Sequence, residues 1–252
     1  MTAAGTIPPA ARAHPWSDRA PVLLGNGGAP DQSPINSLPA FNHALQHGLD
    51  GVSADVQFTR DRILVLRRSP YFEDDEAASH TFISRNTFAE LRRREPHVLP
   101  FSVLRGILEA NPDALASLDL KTPAPWRDGR AWVLAEELAA WPFELTSRLW
   151  ISSFDPIQLF DLRMAGTLIP LAFVAYQESE LELLKDLPVS AVHAHHSLLT
   201  EERLQEWRRQ GLAVFTWNVN DTELARGQLQ HGVDGLIGND TAALLNARGT
   251  GG

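Results

Sequence analysis

Short apolar runs alternate with amphipathic segments along most of this sequence. The apolar runs are predicted to be buried strands at residues 22–25, 51–58, 115–120, 149–152, 169–174, 191–193, 213–217 and 235–238. Each is followed by residues with helical spacing of apolar positions, at 38–46, 101–110, 131–140, 156–164, 178–185, 201–210, 223–231 and 241–247. About eight such repeats in about 230 residues are typical of an α/β protein with a (β/α)8 TIM barrel, more than of an open sheet.

The repeats fit one domain with a short segment at either end. Residues 21–247 are predicted to form the barrel, whereas residues 1–20, which are aperiodic and rich in Ala and Pro, and residues 248–252 are predicted to be tails. The apolar run 63–66 closely follows the second strand, which predicts a small hairpin at the barrel mouth. Residues 71–82, polar and acidic, are then predicted to be an inserted loop over that mouth.

Composition excludes several classes of function. The net charge of −9 and the pI near 5.4 argue against a nucleic-acid partner, whose phosphates require clustered Lys and Arg. The absence of cysteine excludes disulfides, thiolate catalysis and Cys-based zinc sites. The sequence contains no apolar run long enough for a transmembrane segment and no secretory signal pattern, so we expect a soluble, cytoplasmic protein.

Polar residues gather at the carboxyl ends of the predicted strands. In a barrel these ends meet at one face, which is where barrel proteins carry their function. Lys121 follows Asp119 by two positions, so the two side chains are predicted to share a face at the mouth, and a role in the site is favoured over a surface role for Lys121. The other residues at these ends are Asn26, Gly27, Ser53, Asp55, the hairpin tip Arg67-Arg68-Ser69, Ser153-Phe154-Asp155, His193, His195, His196, Trp217-Asn218-Val219-Asn220 and Asn239-Asp240.

Several motifs occur in a characteristic order along the chain. They are Asn26-Gly27-Gly28, Pro34-Ile35-Asn36-Ser37, Ser53-Ala54-Asp55-Val56, Thr59-Arg60-Asp61-Arg62, Leu118-Asp119-Leu120-Lys121, Trp217-Asn218-Val219-Asn220 and Gly232-Val233-Asp234-Gly235. In this order and spacing the chain resembles the glycerophosphodiester phosphodiesterases over residues 21–240. These are metal-dependent barrel hydrolases of lipid metabolism, which split glycerophosphodiesters into glycerol 3-phosphate and an alcohol. The resemblance implies the TIM barrel and a small phosphate-bearing ligand.

The resemblance also implies which positions would carry the chemistry. It places the acid and base histidines at Asn26 and Arg68, and the three metal-binding carboxylates at Ser53, Asp55 and Asp119. An amide does not titrate near neutral pH and a guanidinium stays protonated, so neither Asn26 nor Arg68 can shuttle a proton. Of the three metal-binding carboxylates, only those at Asp55 and Asp119 remain, so we expect Mg²⁺ or Ca²⁺ to bind weakly or not at all.

Gly27 and Ile35 stand at two further positions that the resemblance assigns to polar residues. The resemblance places a phosphate-contacting arginine at Gly27 and a glutamate at Ile35.

We expect Arg68 or Arg67 to pair with Asp55 or Asp119 as a counter-charge, the alternative being that both arginines lie in solvent. 

Three functions remain open at this point. The first is a catalytically impaired family member that binds a phosphate or glycerophosphate-type ligand through Gly27, Arg68, Lys121, His195 and Trp217. The second is an active phosphoric diester hydrolase with a rewired site that uses Asp55, Asp119, Lys121 and, as a further candidate, His195. The third is a structural barrel that binds nothing at its mouth, which would be indicated by a Lys121 held in a salt bridge with no free pocket.

Two other features allow a metal site. His193, His195 and His196 form the histidine cluster of the sequence, in which hydrogen-bonded histidines are favoured over metal ligands. The acidic run 73–76 offers oxygen ligands for calcium, although a solvated loop is the favoured interpretation.

Overall fold

The computed structural model describes residues 14–19, 21–72, 82–122 and 128–249. Within these ranges the strands are β1 (Val22–Asn26), β2 (Gly51–Phe58), β3 (Leu64–Leu66), β4 (Leu99–Pro100), β5 (Leu115–Leu120), β6 (Leu149–Ser153), β7 (Leu171–Ala175), β8 (Ala191–His195), β9 (Ala213–Trp217) and β10 (Gly235–Gly238). The acidic run 73–76 and most of the predicted insertion at 71–82 lie outside the described residues.

Eight parallel strands close into a barrel within the described part of the chain. Their order is β1-β10-β9-β8-β7-β6-β5-β2, and the pairing of β1 with β2 completes the ring. β3 pairs antiparallel with β2 and forms the predicted hairpin arm beside the mouth. β4, which was not predicted, extends this arm by pairing antiparallel with β3. The fold is therefore a (β/α)8 TIM barrel, which confirms the prediction from the alternating pattern.

Helices follow the barrel strands and cover the outside of the ring. They are α1 (Leu38–Gln46), α2 (Phe88–Arg94), α3 (Ser102–Ala110), α4 (Arg130–Ala139), α5 (Phe143–Thr146), α6 (Pro156–Met164), α7 (Glu201–Arg209), α8 (Thr222–His231) and α9 (Thr241–Arg248). No helix among the described residues is both long enough and apolar enough to cross a membrane.

The structure departs from the predicted helices at three places, one of which is the short helix α5 at Phe143–Thr146, which was not predicted. The predicted helix at 178–185 is a 3-10 helix over Glu178–Asp186, in which Leu184 is the buried residue, so it has no broad apolar face to pack as an α-helix. The helix α2 was not predicted. Its signal is a capping box, in which the Thr87 hydroxyl accepts from the Glu90 N–H and the Glu90 carboxylate accepts from the Thr87 N–H.

The interior of the barrel is apolar near the amino ends of the strands and polar near their carboxyl ends. Trp150 of β6 and Phe215 of β9 fill the apolar part. Trp16 is only 4% exposed and meets both rings edge-on, at centroid distances of 5.2 and 5.6 Å. Part of the predicted tail at 1–20 thus covers the amino-terminal end of the barrel, because the indole supplies an apolar surface that closes it.

Candidate functional site

The two aspartates lie side by side on adjacent strands at the mouth. Asp55 of β2 is opposite Asp119 of β5 in the parallel register, and both point into the barrel with the alternate residues of their strands. Asp55 is 2% exposed and Asp119 is 8% exposed. Two buried carboxylates this close repel each other unless cations neutralise them.

Lys121 supplies the first of these cations. Its Nζ lies 2.9 Å from Asp55 Oδ1 and also forms a short ion pair with Asp119 Oδ2. The sequence placed Lys121 on the same face as Asp119, and the contact agrees with that placement. The ammonium is engaged by both carboxylates, so Lys121 acts first as their counter-charge.

Arg68, at the end of the hairpin arm, supplies the second cation. Its Nε donates to Asp55 Oδ2 at 2.9 Å, and one terminal nitrogen donates to Asn26 Oδ1 at 2.6 Å. Arg67 is directed elsewhere, into a two-bonded ion pair with Glu95 at 2.7 Å for each bond. Of the two arginines considered from the sequence, Arg68 is therefore the one that pairs with an aspartate.

Asn36 is a site residue that the sequence analysis did not single out. Its side-chain nitrogen donates to Asp55 Oδ2 at 2.7 Å, and its side-chain oxygen accepts from the Asp55 N–H at 3.0 Å. The backbone has a φ of 57°, a left-handed conformation in which Asn is enriched among non-glycine residues. The signal was its place after Pro34 and Ile35, in a loop with turn-forming residues.

Gln57 and Arg130 form a second missed group behind the cations. The Gln57 side chain donates to the Arg68 carbonyl at 3.1 Å and accepts from Arg130 at 3.4 Å. The buried Arg130 guanidinium also donates to the Lys121 carbonyl and pairs with Asp128. Arg130 is thus connected directly to the Lys121 backbone and, through Gln57, to the Arg68 backbone.

Burial and the neighbouring charges together shift the pKa values of the two carboxyl groups in opposite directions. Burial alone raises the pKa of Asp55, but Lys121 and Arg68 outweigh it and hold that pKa below its usual value. Burial raises the pKa of Asp119, and the charge of Asp55 adds to this effect while Lys121 opposes it. Burial lowers the pKa of Lys121, but the two aspartates outweigh it and raise that pKa, so the ammonium stays charged.

The metal that the resemblance implies does not fit these residues. Ser53 contributes a neutral hydroxyl, and Lys121 and Arg68 already neutralise the two aspartates. Asp119 Oδ1 is buried without a hydrogen-bond partner. A single such oxygen does not supply the several oxygen ligands that a hard cation requires. No group of three or more His, Asp or Glu side chains suited to a metal occurs in residues 14–19, 21–72, 82–122 and 128–249.

An aromatic group flanks the aspartates on the other side of Lys121. The Lys121 ammonium lies 5.6 Å from the Phe154 ring centroid, and Phe154 meets Trp217 edge-on at 5.4 Å. His195 contacts Trp217 at a centroid distance of 5.3 Å, and its Nδ1 pairs with the Ser197 hydroxyl at 2.7 Å. His195 and Trp217 therefore belong to the aromatic rim. Lys121 contacts both this rim, through Phe154, and the two aspartates.

His193 lies deeper in the barrel than His195. It is 2% exposed, and its Nε2 accepts from the Trp150 indole N–H at 3.0 Å. Burial lowers its pKa to about 3, so this ring is neutral at physiological pH. The alternative of a hydrogen-bonded histidine therefore describes His193 better than a metal ligand does.

The loop after β1 is shaped by close backbone packing. Gly27 has a φ of 71°, and a Cβ at this position would lie 2.1 Å from the Ile35 side chain. Its N–H donates to the Ser53 carbonyl at 2.6 Å, and its carbonyl accepts from the Asn36 N–H at 2.9 Å. Gly27 thus binds neighbouring backbone and supports the position of Asn36.

A cavity of about 620 Å³ opens beside Arg68 at the mouth. Its lining comes from four loops and comprises Pro30, Asp31, Ser33, Pro34, Ile35, Arg68, Asn220, Asn239 and Asp240. This volume is in the range of small-molecule sites. The condition for a purely structural barrel is therefore met only in part, since Lys121 is held in ion pairs but a pocket exists.

The fold and the charged mouth define the chain as a (β/α)8-barrel protein with a polar site at the carboxyl ends of its strands. The sequence model of the glycerophosphoryl diester phosphodiesterase family matches residues 28–243, and the chain belongs to this family. A glycerophosphodiester phosphodiesterase of Caldanaerobacter subterraneus subsp. tengcongensis is 23% identical over 243 residues, which cover 89% of this chain and 96% of that protein.

Two solved structures share the fold. A putative glycerophosphoryl diester phosphodiesterase from Silicibacter pomeroyi superposes with a TM-score of 0.79 at 19% identity, over 91% of this chain and 93% of that one. An Oleispira antarctica phosphodiesterase, solved in complex with the product sn-glycerol-3-phosphate, has a TM-score of 0.78 at 20% identity, over 92% of this chain and 98% of that one. At these identities the likeness concerns the fold alone.

Proposed function

We propose that this chain is a catalytically impaired member of the glycerophosphodiester phosphodiesterase family that binds a phosphate-bearing ligand at the barrel mouth. The observation that carries the proposal is the closed charge cluster, in which Lys121 and Arg68 neutralise Asp55 and Asp119. The resemblance places the acid and base histidines at Asn26 and Arg68. These two side chains are bonded to each other, and neither can transfer a proton near neutral pH.

The loss in rate from these two positions is large. A positioned acid or base contributes about 10²–10⁴ in rate, so the absence of both removes about 10⁴–10⁸. A weak or absent divalent site adds to this loss, because the two aspartates are already paired with side-chain cations. We therefore propose little or no turnover of glycerophosphodiesters.

Arg68 is the proposed contact for the phosphate of the ligand. Its side chain is 41% exposed, and it lines the cavity at the mouth. Lys121 is less available, since its ammonium is shared by two carboxylates. We propose that Lys121 supports the site and that Trp217 and His195 border it. The sn-glycerol-3-phosphate bound by the Oleispira antarctica relative supports a ligand of this class.

The test combines binding with turnover. We expect calorimetry in EDTA to detect sn-glycerol 3-phosphate binding that is weakened about tenfold by Arg68→Gln, the loss of one charge-assisted contact. Arg67→Gln is the matched control, because Arg67 lies next to Arg68 but pairs with Glu95. Turnover of glycerophosphodiesters at an ordinary enzyme rate, of order 1–10³ s⁻¹, would show that the protein is not impaired.

An active, rewired hydrolase is the alternative. The observation that favours it is the Asp119 carboxyl, whose pKa is raised by burial and whose Oδ1 has no partner. In this alternative a protonated Asp119 donates a proton, and Asp55, Lys121 and His195 are the other residues of the rewired site. If the wild type turns over, loss of activity in Asp119→Asn with unchanged unfolding temperature would support this mechanism, and His195→Gln would be examined next.

A further inference from the structure

The cavity beside Arg68 presents two kinds of charge to a ligand. Arg68 is the cationic residue of its lining, and Asp31 and Asp240 are the anionic ones. Asp31 lies in the loop between β1 and α1, whereas Asp240 lies between β10 and α9. Loops from different parts of the chain thus bring opposite charges to one cavity of about 620 Å³.

Arg68 retains a free edge toward an anion. Its Nε is bonded to Asp55 and one terminal nitrogen to Asn26. Among the described residues the other terminal nitrogen has no hydrogen-bond partner. A guanidinium edge that lines a cavity is well suited to a phosphate oxygen.

The loop after β10 contributes acceptors that are only partly used. Asp240 Oδ1 caps α9 by accepting from the Ala243 N–H at 2.8 Å, and its second oxygen has no partner within the described part of the chain. Asn239 has a buried side-chain oxygen without a hydrogen-bond partner. In the loop after β1, Asp31 Oδ1 accepts from the Thr241 hydroxyl and Asp31 Oδ2 accepts from the Gln32 side-chain amide, each at 3.3 Å. These oxygens suit a ligand group that donates hydrogen bonds.

The balance of charge favours a positive group on the ligand. The charges of Lys121 and Arg68 are already matched by Asp55 and Asp119. The carboxylates of Asp31 and Asp240 remain, so this wall weakens the binding of a ligand that carries only negative charge, relative to one that also carries a positive group. A phosphate that carries an ammonium group on its other substituent satisfies both the guanidinium and the carboxylates.

The lining also discriminates between kinds of ammonium. It contains no aromatic residue in the part of the chain that the structure describes, so it offers no ring face for a quaternary ammonium. It offers oxygen acceptors from Asp31, Asn239 and Asp240. Such acceptors favour a primary ammonium, which has three N–H donors, over a trimethylated one, which has none.

We propose that the cavity formed by Asp31, Asn239 and Asp240 beside Arg68 is a subsite for the primary-ammonium group of a zwitterionic phosphodiester. This inference rests on the proposed function, because Arg68 must hold the phosphate for the ammonium to reach the acidic wall. It assigns the alcohol side of the ligand, which the family resemblance leaves open. 

The experiment compares three ligands by calorimetry with the full chain in EDTA. The ligands are sn-glycero-3-phosphoethanolamine, sn-glycero-3-phosphocholine and sn-glycero-3-phosphoglycerol, which differ in the alcohol group alone. We expect the ethanolamine diester to bind about twofold to fivefold more tightly than the other two, as is typical of partly exposed charge pairs. The phosphoglycerol diester is the control, because its alcohol group is uncharged and similar in size to ethanolamine.

Conservative variants identify the residues responsible. Asp31→Asn with Asp240→Asn is expected to abolish the preference for the ethanolamine diester, and asparagine at 240 still caps α9. Asp221→Asn is the matched control, because Asp221 caps α8 by accepting from the Leu224 N–H and does not line the cavity. Unfolding temperatures of all variants establish that each one is folded.

The outcomes separate this inference from the proposed function. Equal affinity for all three diesters, or a preference that survives the double substitution, overturns the subsite. Tighter binding of the phosphocholine diester overturns the primary-ammonium assignment. If no diester binds, or if Arg68→Gln leaves binding unchanged, the proposed phosphate contact fails and the subsite fails with it. A preference that the double substitution removes supports both.

Discussion

The Lys121 Nζ lies 2.9 Å from Asp55 Oδ1 in the mouth of the barrel. The same ammonium pairs with Asp119 Oδ2, so one lysine neutralises two carboxylates on adjacent strands. Two buried carboxylates in one site need positive charge nearby, and a side-chain ammonium provides it without a bound ion. This relationship determines how the site responds to substitution.

Lys121→Met is expected to destabilise the fold and to make it responsive to divalent cations. Removal of one partner from a buried ion pair leaves uncompensated charge, which lowers the free energy of unfolding by about 3–5 kcal/mol. Asp55 and Asp119 then become available to a cation. Urea unfolding with and without millimolar Ca²⁺ or Mg²⁺ measures both effects, and we expect the cation to restore part of the loss.

Arg67→Met is the control for that experiment. It breaks the ion pair, 2.7 Å long, between Arg67 and Glu95 at the end of α2, but it exposes neither Asp55 nor Asp119. Its stability should not respond to divalent cations. A Lys121→Met protein that is equally unresponsive would contradict the role of Lys121 as the resident cation.

Restoring the residues implied by the family should recover metal-dependent hydrolysis only in combination. The triple variant Asn26→His, Ser53→Glu and Arg68→His supplies both proton-transfer groups and a third carboxylate. Each single variant should gain little, because groups that act as one unit contribute non-additively. The measurement is glycerophosphodiester hydrolysis with Mg²⁺ or Ca²⁺ and in EDTA.

Arg68→His by itself should lower stability. The substitution removes the bonds from the guanidinium to Asp55 and Asn26. A single variant with activity close to that of the triple variant would show that the loss of turnover has one cause rather than several.

Stability should fall in mild acid because of His193. An ordinary histidine titrates at 6.5, whereas burial lowers the pKa of His193 to about 3. The unfolded chain therefore binds a proton that the folded chain does not, so this contribution is complete above pH 6.5 and is lost as the pH falls toward 3. At about pH 4.5 the loss amounts to about 2–3 kcal/mol.

His193→Gln isolates this effect. Glutamine can still accept from the Trp150 indole N–H, which lies 3.0 Å from His193 Nε2, but it does not titrate. Urea unfolding at about pH 7 and about pH 4.5 should show a smaller acid loss in the variant than in the wild type. Equal losses would assign the acid sensitivity to other groups.

Asn36→Ala should destabilise the mouth more than Asn36→Gly does. Both variants remove the two hydrogen bonds to Asp55, and an unsatisfied buried group costs about 1–3 kcal/mol. The left-handed backbone also costs alanine about 1–2 kcal/mol in strain, whereas glycine adopts this conformation freely. Urea unfolding measures the difference between the two variants.

Arg62 provides the comparison for the backbone effect. Its φ of 64° is also left-handed, but the residue is exposed and contacts none of the aspartates. Arg62→Gly relieves this backbone strain but loses the contact of the guanidinium with the Phe58 ring, 6.0 Å from its centroid, so its stability is expected to stay close to that of the wild type. If Asn36→Gly is equally harmless, the bonds from Asn36 to Asp55 do not stabilise the site.

The order of elements and the inner positions of the strands could be predicted from the sequence. A strand alternates its side chains between two faces, so a single periodic pattern predicts the shared face of Asp119 and Lys121. The same reasoning predicted the strand end that carries Asp55. The short hairpin after β2 was predicted as well, because its apolar run lies close in sequence to the strand it pairs with.

The partners within the site were decided by the tertiary structure. Periodicity could not choose between Arg67 and Arg68, because both lie in the same hairpin arm and only the packing directs one to Glu95 and the other to Asp55. Arg130 lies far along the chain from Gln57, yet closure of the barrel brings their side chains to 3.4 Å. Sequence patterns report local geometry, whereas such contacts depend on where distant loops meet once the ring is closed.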